Sequence, residues 1–201
     1  MSERDPDGAE RGTADAETDA GTGDELAWET LYGETAYICP GFDVQHEQVR
    51  LPDGTESDFD YLSESASVVV VPFTADDEVV VIEEWRQAVK RVNRGFPAGG
   101  LEGDDADLEA AARRELEEET GYVAGEVDHL TTVEPANGIA DAVFHYFAAY
   151  DCAPTGEQNL DDNESIRVDT TTLDALLDDI ETGDLRDGRT ALGALYYRAF
   201  A

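Results

Sequence analysis

Basic residues are scarce in this chain: its 201 residues hold 13 lysines and arginines against 48 aspartates and glutamates, a formal charge of -35. Lys90 is the single lysine. A surface so poor in cations cannot neutralise a phosphate backbone, which excludes binding of a nucleic-acid polymer through a basic face. Cysteine is nearly absent too. Cys39 and Cys152 lie far apart in no metal-ligand spacing and read as two reduced, partly buried thiols. His46, His129 and His145 show no ligand spacing either, and His145, inside Val143-Phe-His-Tyr-Phe147, reads as a strand residue. No apolar run reaches the roughly 18 residues of a membrane span, and the acidic start lacks the basic and apolar regions of a signal peptide. The expectation is a cytoplasmic protein without a membrane partner.

Apolar residues make up 41% of the chain and aromatics 8%, enough to bury one core with an attached tail or accessory element. The acids are spread along the whole chain. In this the composition resembles that of proteins from halophilic archaea, whose cytoplasm holds molar salt. At that ionic strength the Debye length falls to about 3 Å, which relieves the self-repulsion of so acidic a fold.

Residues 1–26 are Asp, Glu, Gly, Thr and Ala with almost nothing large and apolar, so they read as an acidic disordered arm. From Trp28 short β-prone runs (TAYICPGF, VQHEQVRL, SDFDYL) are separated by Pro40-Gly41 and Pro52-Asp53-Gly54, predicting a small antiparallel meander over 27–63. The main domain then spans 64–201. Its runs Ala66–Phe73 and Glu78–Arg86, joined by the polar turn Thr74–Asp77, are apolar enough to be central strands covered on both faces. Residues 93–100 read as a Gly-rich loop. Asp107–Thr120 is made of good helix formers, with Asp107 as N-cap and Gly121 as the stop. Strands are expected near 127–134, 142–150 and 165–170, and helices over 172–182 and 189–200. This order describes an α+β domain in α/β/α layers.

On the central helix Glu115, Glu118 and Glu119 stand at i, i+3 and i+4, which brings three carboxylates to one face. Such a cluster suits a hard cation, because Mg²⁺ prefers carboxylate oxygens and shares its octahedron with substrate phosphates. In so acidic a chain a solvated face is the competing reading of the same residues.

Together Gly100, Arg114-Glu115-Leu116-Glu117-Glu118-Glu119 and Gly121 resemble the Nudix box, G-x5-E-x7-R-E-U-x-E-E-x-G-U with U aliphatic. The resemblance implies a Nudix fold, an α/β/α sandwich with a mixed sheet, behind the N-terminal meander. Two positions depart from the pattern. Its first Glu falls on Ala106 when counted back from Arg114, and on Asp105 when counted forward from Gly99, so either Asp105 substitutes through a one-residue shift or that support is missing. The last aliphatic position is Tyr122.

By resemblance the reaction is Mg²⁺- or Mn²⁺-dependent hydrolysis of a nucleoside diphosphate linked to another moiety. Glu115 and Glu119 would be the principal metal ligands, Glu118 would share the cluster, and Arg114 would orient the carboxylates. The flanks Leu51-Pro-Asp-Gly54, Val79 to Trp85-Arg86-Gln87 and Phe96-Pro-Ala-Gly-Gly100 resemble the ADP-ribose pyrophosphatase branch. In that branch the carbonyl before the box glycine, Ala98 or Gly99 here, is a further metal ligand. Glu134–Asp141, containing Gly138, resembles a segment near the terminal ribose, and Asp161–Val168 resembles the loop that supplies the catalytic glutamate, here Glu164. Arg86 is a candidate phosphate contact, and Trp85 or Phe96 a candidate base-stacking residue. Arg91 and Arg94 precede the box and read either as phosphate contacts or as ion-pair partners. The resemblance also implies a homodimer in which the meander completes the partner's adenosine pocket. The expected activity is hydrolysis of ADP-ribose to AMP and ribose 5-phosphate. The alternatives are a Nudix hydrolase of another nucleotide sugar or dinucleoside polyphosphate, or a catalytically lapsed Nudix ligand-binding regulator.

Overall fold

The computed structural model describes residues 23–103, 105–161 and 164–201. The N-terminal arm, apart from its last four residues, lies outside them. The chain divides into two compact units, one ending at Tyr61 and one running Leu62–Ala201.

The first unit is built on an antiparallel three-stranded sheet in the order β1 (Glu29–Ile38), β2 (Asp43–Arg50), β3 (Glu56–Ser63). Its turns fall at the expected places. At Leu51-Pro-Asp-Gly54 the Gly54 amide donates to Leu51 O at 2.9 Å, and Gly54 takes φ +86°, a conformation a side chain would strain. Aromatic and apolar side chains stay at the surface of this unit: Trp28, Tyr32, Tyr37, Ile38 and Phe59 are all exposed, with Trp28 packed edge-on against Phe59.

The second unit is an α/β/α sandwich on a mixed sheet of order β10 (Ile166–Thr171), β5 (Val79–Arg86), β4 (Ser67–Thr74), β9 (Phe144–Cys152), β8 (Glu126–Val133). β4 pairs with β9 in parallel and every other pairing is antiparallel. Alternation along β4 fills both sides of the sheet. Val68 and Val70 pack with Ala111, Ala112 and Leu116 of α1 (Leu108–Thr120). Val69, Val71 and Phe73 pack with Leu176 of α2 (Leu173–Thr182), with Leu185, and with Ala194 of α3 (Gly188–Phe200). The expectation of central strands covered on both faces therefore holds for β4, and for Val79–Ile82 of β5.

Residues 93–100, expected as a loop, differ from the sequence reading. They form two short strands, β6 (Arg91–Gly95) and β7 (Ala98–Gly100), rather than a loop. β4 and β5 pair at a single position, Phe73 with Val79, and then separate. β6 fills in beside β5, and β7 beside β4. The two sub-sheets thus part around the Phe96-Pro97 step, and the end of α1 reaches the gap. α1 carries the caps its sequence predicts. The Asp107 side chain accepts from the Ala110 amide, and Gly121 closes the helix in the left-handed conformation at φ 72°.

Candidate active site

The caps fix the rotation of α1, and its acidic face turns inward. Glu115 and Glu119 are buried at 9% and 4% exposure, and Glu118 is half-buried. In a chain that keeps most of its acids in water, two interior carboxylates one turn apart mark the site. The Ala98 amide donates to Glu119 Oε2 at 3.0 Å, and Gln158 Nε2 donates to the Glu119 carbonyl at 2.7 Å. Burial still dominates, and the Glu119 carboxyl is pushed up to about 8, with Glu115, Glu164 and Glu84 adding negative charge around it. Burial also raises Glu115, opposed by the Arg114 guanidinium.

Gly99 is required by this packing. A Cβ there would lie 2.2 Å from Glu115 Oε2, so the strand touches the carboxylate through bare backbone. Arg114 organises the rest. Its Nη1 donates to Glu115 Oε1 at 2.7 Å and to Glu118 Oε2 at 3.0 Å, while Nε and Nη2 grip Asp105 at 3.0 and 2.9 Å. Nη2 also donates to the Gly100 carbonyl at 3.0 Å. All five N–H groups are thereby engaged. The pair holds the Asp105 carboxyl below its ordinary range. Between the two positions the sequence left open, Ala106 is exposed, and Asp105 faces the box as the partner of its arginine.

Glu164 stands just before β10, with the Asp161 amide donating to its Oε2 at 3.1 Å. It lies close enough to Glu84, Glu115 and Glu119 for its negative charge to raise all three carboxyls. Glu84, on β5, is a member that sequence reading missed. It is 8% exposed and paired with Arg86, Nη2 to Oε2 at 2.7 Å. The available signal was its place two residues beyond the buried Ile82 on the same strand face. Trp85, on the opposite face, is half exposed, with its indole N–H on Gln87. Gly138 lies in an exposed turn with open space around its Cα, and Asp141 anchors that segment by accepting from Ser63 Oγ at 2.7 Å and the Glu64 amide at 3.1 Å.

Phe96 is a correction. At 2% exposure it packs in the core, close enough that a Cβ on Gly193 would meet its ring at 3.2 Å, so it has no face free to stack on a base. Arg94 is ion-paired with Asp179 at 3.3 Å, while Arg91 donates from Nε to Asn93 at 2.8 Å.

The donor set is all oxygen: the Glu115, Glu118 and Glu119 carboxylates and the Ala98 and Gly99 carbonyls. Buried carboxyl oxygens beside a strand kept bare at Gly99 fit a hard, oxygen-seeking cation such as Mg²⁺, which would displace the proton that burial holds on Glu119. Among the described residues no three acidic, histidine or cysteine groups already converge to hold a metal ion, and Arg114 is ion-paired with both Glu115 and Glu118. Among them, too, no helix is long and apolar enough to cross a membrane.

A loop–helix–loop carrying these carboxylates on a mixed sheet defines the class, and the comparisons agree: the NUDIX domain model matches residues 64–190, so the chain belongs to the Nudix family. It is 30% identical over 172 residues to an ADP-ribose pyrophosphatase of Bacillus subtilis, covering 85% of this chain and 92% of that one. It is 29% identical over 154 residues to a methanol dehydrogenase activator of Bacillus methanolicus, covering 76% and 83%. A crystal structure described as an ADP compounds hydrolase superposes with a TM-score of 0.75 at 22% identity over 85% of this chain and 92% of that chain, a likeness of fold.

Proposed function

We propose that this Nudix protein hydrolyses the pyrophosphate bond of ADP-ribose, adding one water to release AMP and ribose 5-phosphate. The observation that carries the reading is the closure of the Glu115, Glu118 and Glu119 face on the bare Ala98-Gly99 strand. Similarity to an ADP-ribose pyrophosphatase along nearly its whole length supports the substrate. Mg²⁺, with Mn²⁺ as substitute, would be held by Glu115, Glu119 and Glu118 with the Ala98 or Gly99 carbonyl. When bound it would neutralise the diphosphate and lower the pKa of a coordinated water.

The chain's own residues supply the remaining work. Arg114 fixes the carboxylates, and Asp105 fixes Arg114 by a bidentate pair. Glu164 is the general base that removes the proton from the attacking water. Arg86 meets the phosphates, Trp85 offers an exposed ring to the base, and Gly138 leaves room for the terminal ribose. The intact helix carboxylates favour turnover over a binding-only regulator. The test is product analysis with ADP-ribose, in which AMP formation that depends on Mg²⁺ and disappears in Glu119→Gln is expected, and turnover without added metal overturns the metal assignment.

Three wider features belong to the same proposal. The organisation is an arm over 1–26, a meander over 27–63 and a catalytic domain over 64–201. The protein acts in a high-salt cytoplasm, as its charge of -35 requires screening. It is a homodimer whose meander serves the partner's adenosine pocket, supported by the exposed Trp28, Tyr32, Tyr37 and Phe59 of the first unit. Light scattering on Phe59→Asp, expected to be monomeric against a dimeric wild type, tests this last point.

A further inference from the structure

Glu119, Glu84 and Glu115 are the most buried acidic residues among those described, at 4%, 8% and 9% exposure. Two of them stand on the motif helix. Glu84 instead ends the apolar run Val79–Ile82 of a central strand, where a carboxylate is unfavourable unless a cation compensates it. Among the described residues its one ion pair is Arg86 Nη2 to Glu84 Oε2 at 2.7 Å, with Arg189 adding positive charge nearby, and that oxygen has no hydrogen bond of good geometry. Among the described residues no other acid lies within ion-pair range of Arg86.

Strand alternation puts Glu84 and Arg86 on one face. That face borders a narrow cleft whose walls include Asn93, Arg94, Asp187 and Arg189. Glu84 forms its buried floor, while Arg86 keeps about a third of its side chain, 35%, in solvent. The guanidinium is thus tied to Glu84 at Nη2 while part of the side chain stays open to solvent. A guanidinium held this way loses less conformational freedom on meeting a phosphate than an untethered one.

We propose that Glu84 is a positioning residue, whose buried carboxylate holds Arg86 in the orientation that receives the substrate's diphosphate. This rests on the reading of Arg86 as a phosphate contact. The ligand class is a diphosphate, and the nucleoside attached to it does not enter the argument.

The test compares the wild type with Glu84→Gln, Arg86→Gln and the double variant, in salt where circular dichroism shows each folded. Three quantities are read: KM and kcat for ADP-ribose, the Mg²⁺ concentration for half-maximal activity, and calorimetric affinity for inorganic pyrophosphate with Mg²⁺ present. Glu84→Gln is expected to raise KM and weaken pyrophosphate binding roughly tenfold, with kcat within about threefold and the Mg²⁺ requirement unmoved. In the Arg86→Gln background it should add nothing. Unchanged KM and pyrophosphate affinity, or an equal effect in the absence of Arg86, overturns the proposal. A raised Mg²⁺ requirement overturns it also, and makes Glu84 a metal ligand. If the wild type leaves ADP-ribose intact, the functional reading fails while the pyrophosphate titration still decides the role of Glu84. Should Glu84→Gln not fold, Glu84→Asp, which retracts the charge from Arg86, is expected to give the same weakening.

Discussion

The Ala98 amide donates to Glu119 Oε2 at 3.0 Å, tying the shortest strand of the sheet to the last turn of α1. One bond thereby joins the two parts of the proposed metal site, the carboxylate face of α1 and the backbone of β7.

Glu119→Gln should therefore leave the fold intact and remove turnover. The amide oxygen still accepts from Ala98, while the charge that holds a cation is gone. A loss of at least about a hundredfold in kcat/KM is expected, with an unchanged circular dichroism spectrum.

The same residue gives the metal-free protein a pH signature. Burial keeps Glu119 protonated in the fold up to about 8, whereas in the unfolded chain it ionises near its ordinary 4.5. Its contribution to stability is full below the unfolded value and is lost as pH rises through about 8. In melts with a chelator present, the Tm advantage of Glu119→Gln over the wild type should grow across this window. Stabilisation by Mg²⁺ should run the other way in the wild type and increase with pH, because the cation competes with the proton.

Gly99→Ala places a methyl group where the Glu115 carboxylate sits, 2.2 Å from Oε2. Overpacking of this kind destabilises by about 1–3 kcal/mol. The larger expected effect is on the metal, since Glu115 must move: calorimetry should show Mg²⁺ affinity reduced even where the melt shows a folded protein.

Asp105→Asn tests how the box manages with Ala106 at its outer position. The bidentate pair with Arg114 would lose its charge, freeing the guanidinium to slacken its hold on Glu115 and Glu118. A fall in kcat of roughly tenfold is expected, while Ala106→Glu, at an exposed position, should restore little of it.

Much of this was legible in the sequence because local signals agreed with the tertiary structure. Asp107 and Gly121 bound α1, and the valines of β4 and β5 announce buried strands. What was illegible depends on partners distant in the chain. Arg91-Val-Asn-Arg-Gly95 and Ala-Gly-Gly100 have little strand character, and they become β6 and β7 because separating β4 and β5 leave backbone edges to fill. Phe96 sits among loop residues, yet its amide donates to Thr190 Oγ at 2.9 Å, which docks it under the first turn of α3. Glu84 looks like any acid in an acidic chain until burial singles it out. Asp105 and Ala106 could not be separated by counting, and their surroundings separate them.

The acidic surface carries its own prediction. With a charge of -35, the fold should lose its circular dichroism signal in dilute buffer and regain it in molar KCl. A spectrum unchanged on removing salt would contradict the high-salt reading.

The central claim is most directly tested by chromatographic product analysis after incubation with ADP-ribose, other nucleotide sugars and dinucleoside polyphosphates in molar KCl with Mg²⁺. AMP and ribose 5-phosphate formed chiefly from ADP-ribose is the predicted result. A folded protein that binds ADP-ribose without releasing AMP, or that prefers another compound of the panel, would contradict it.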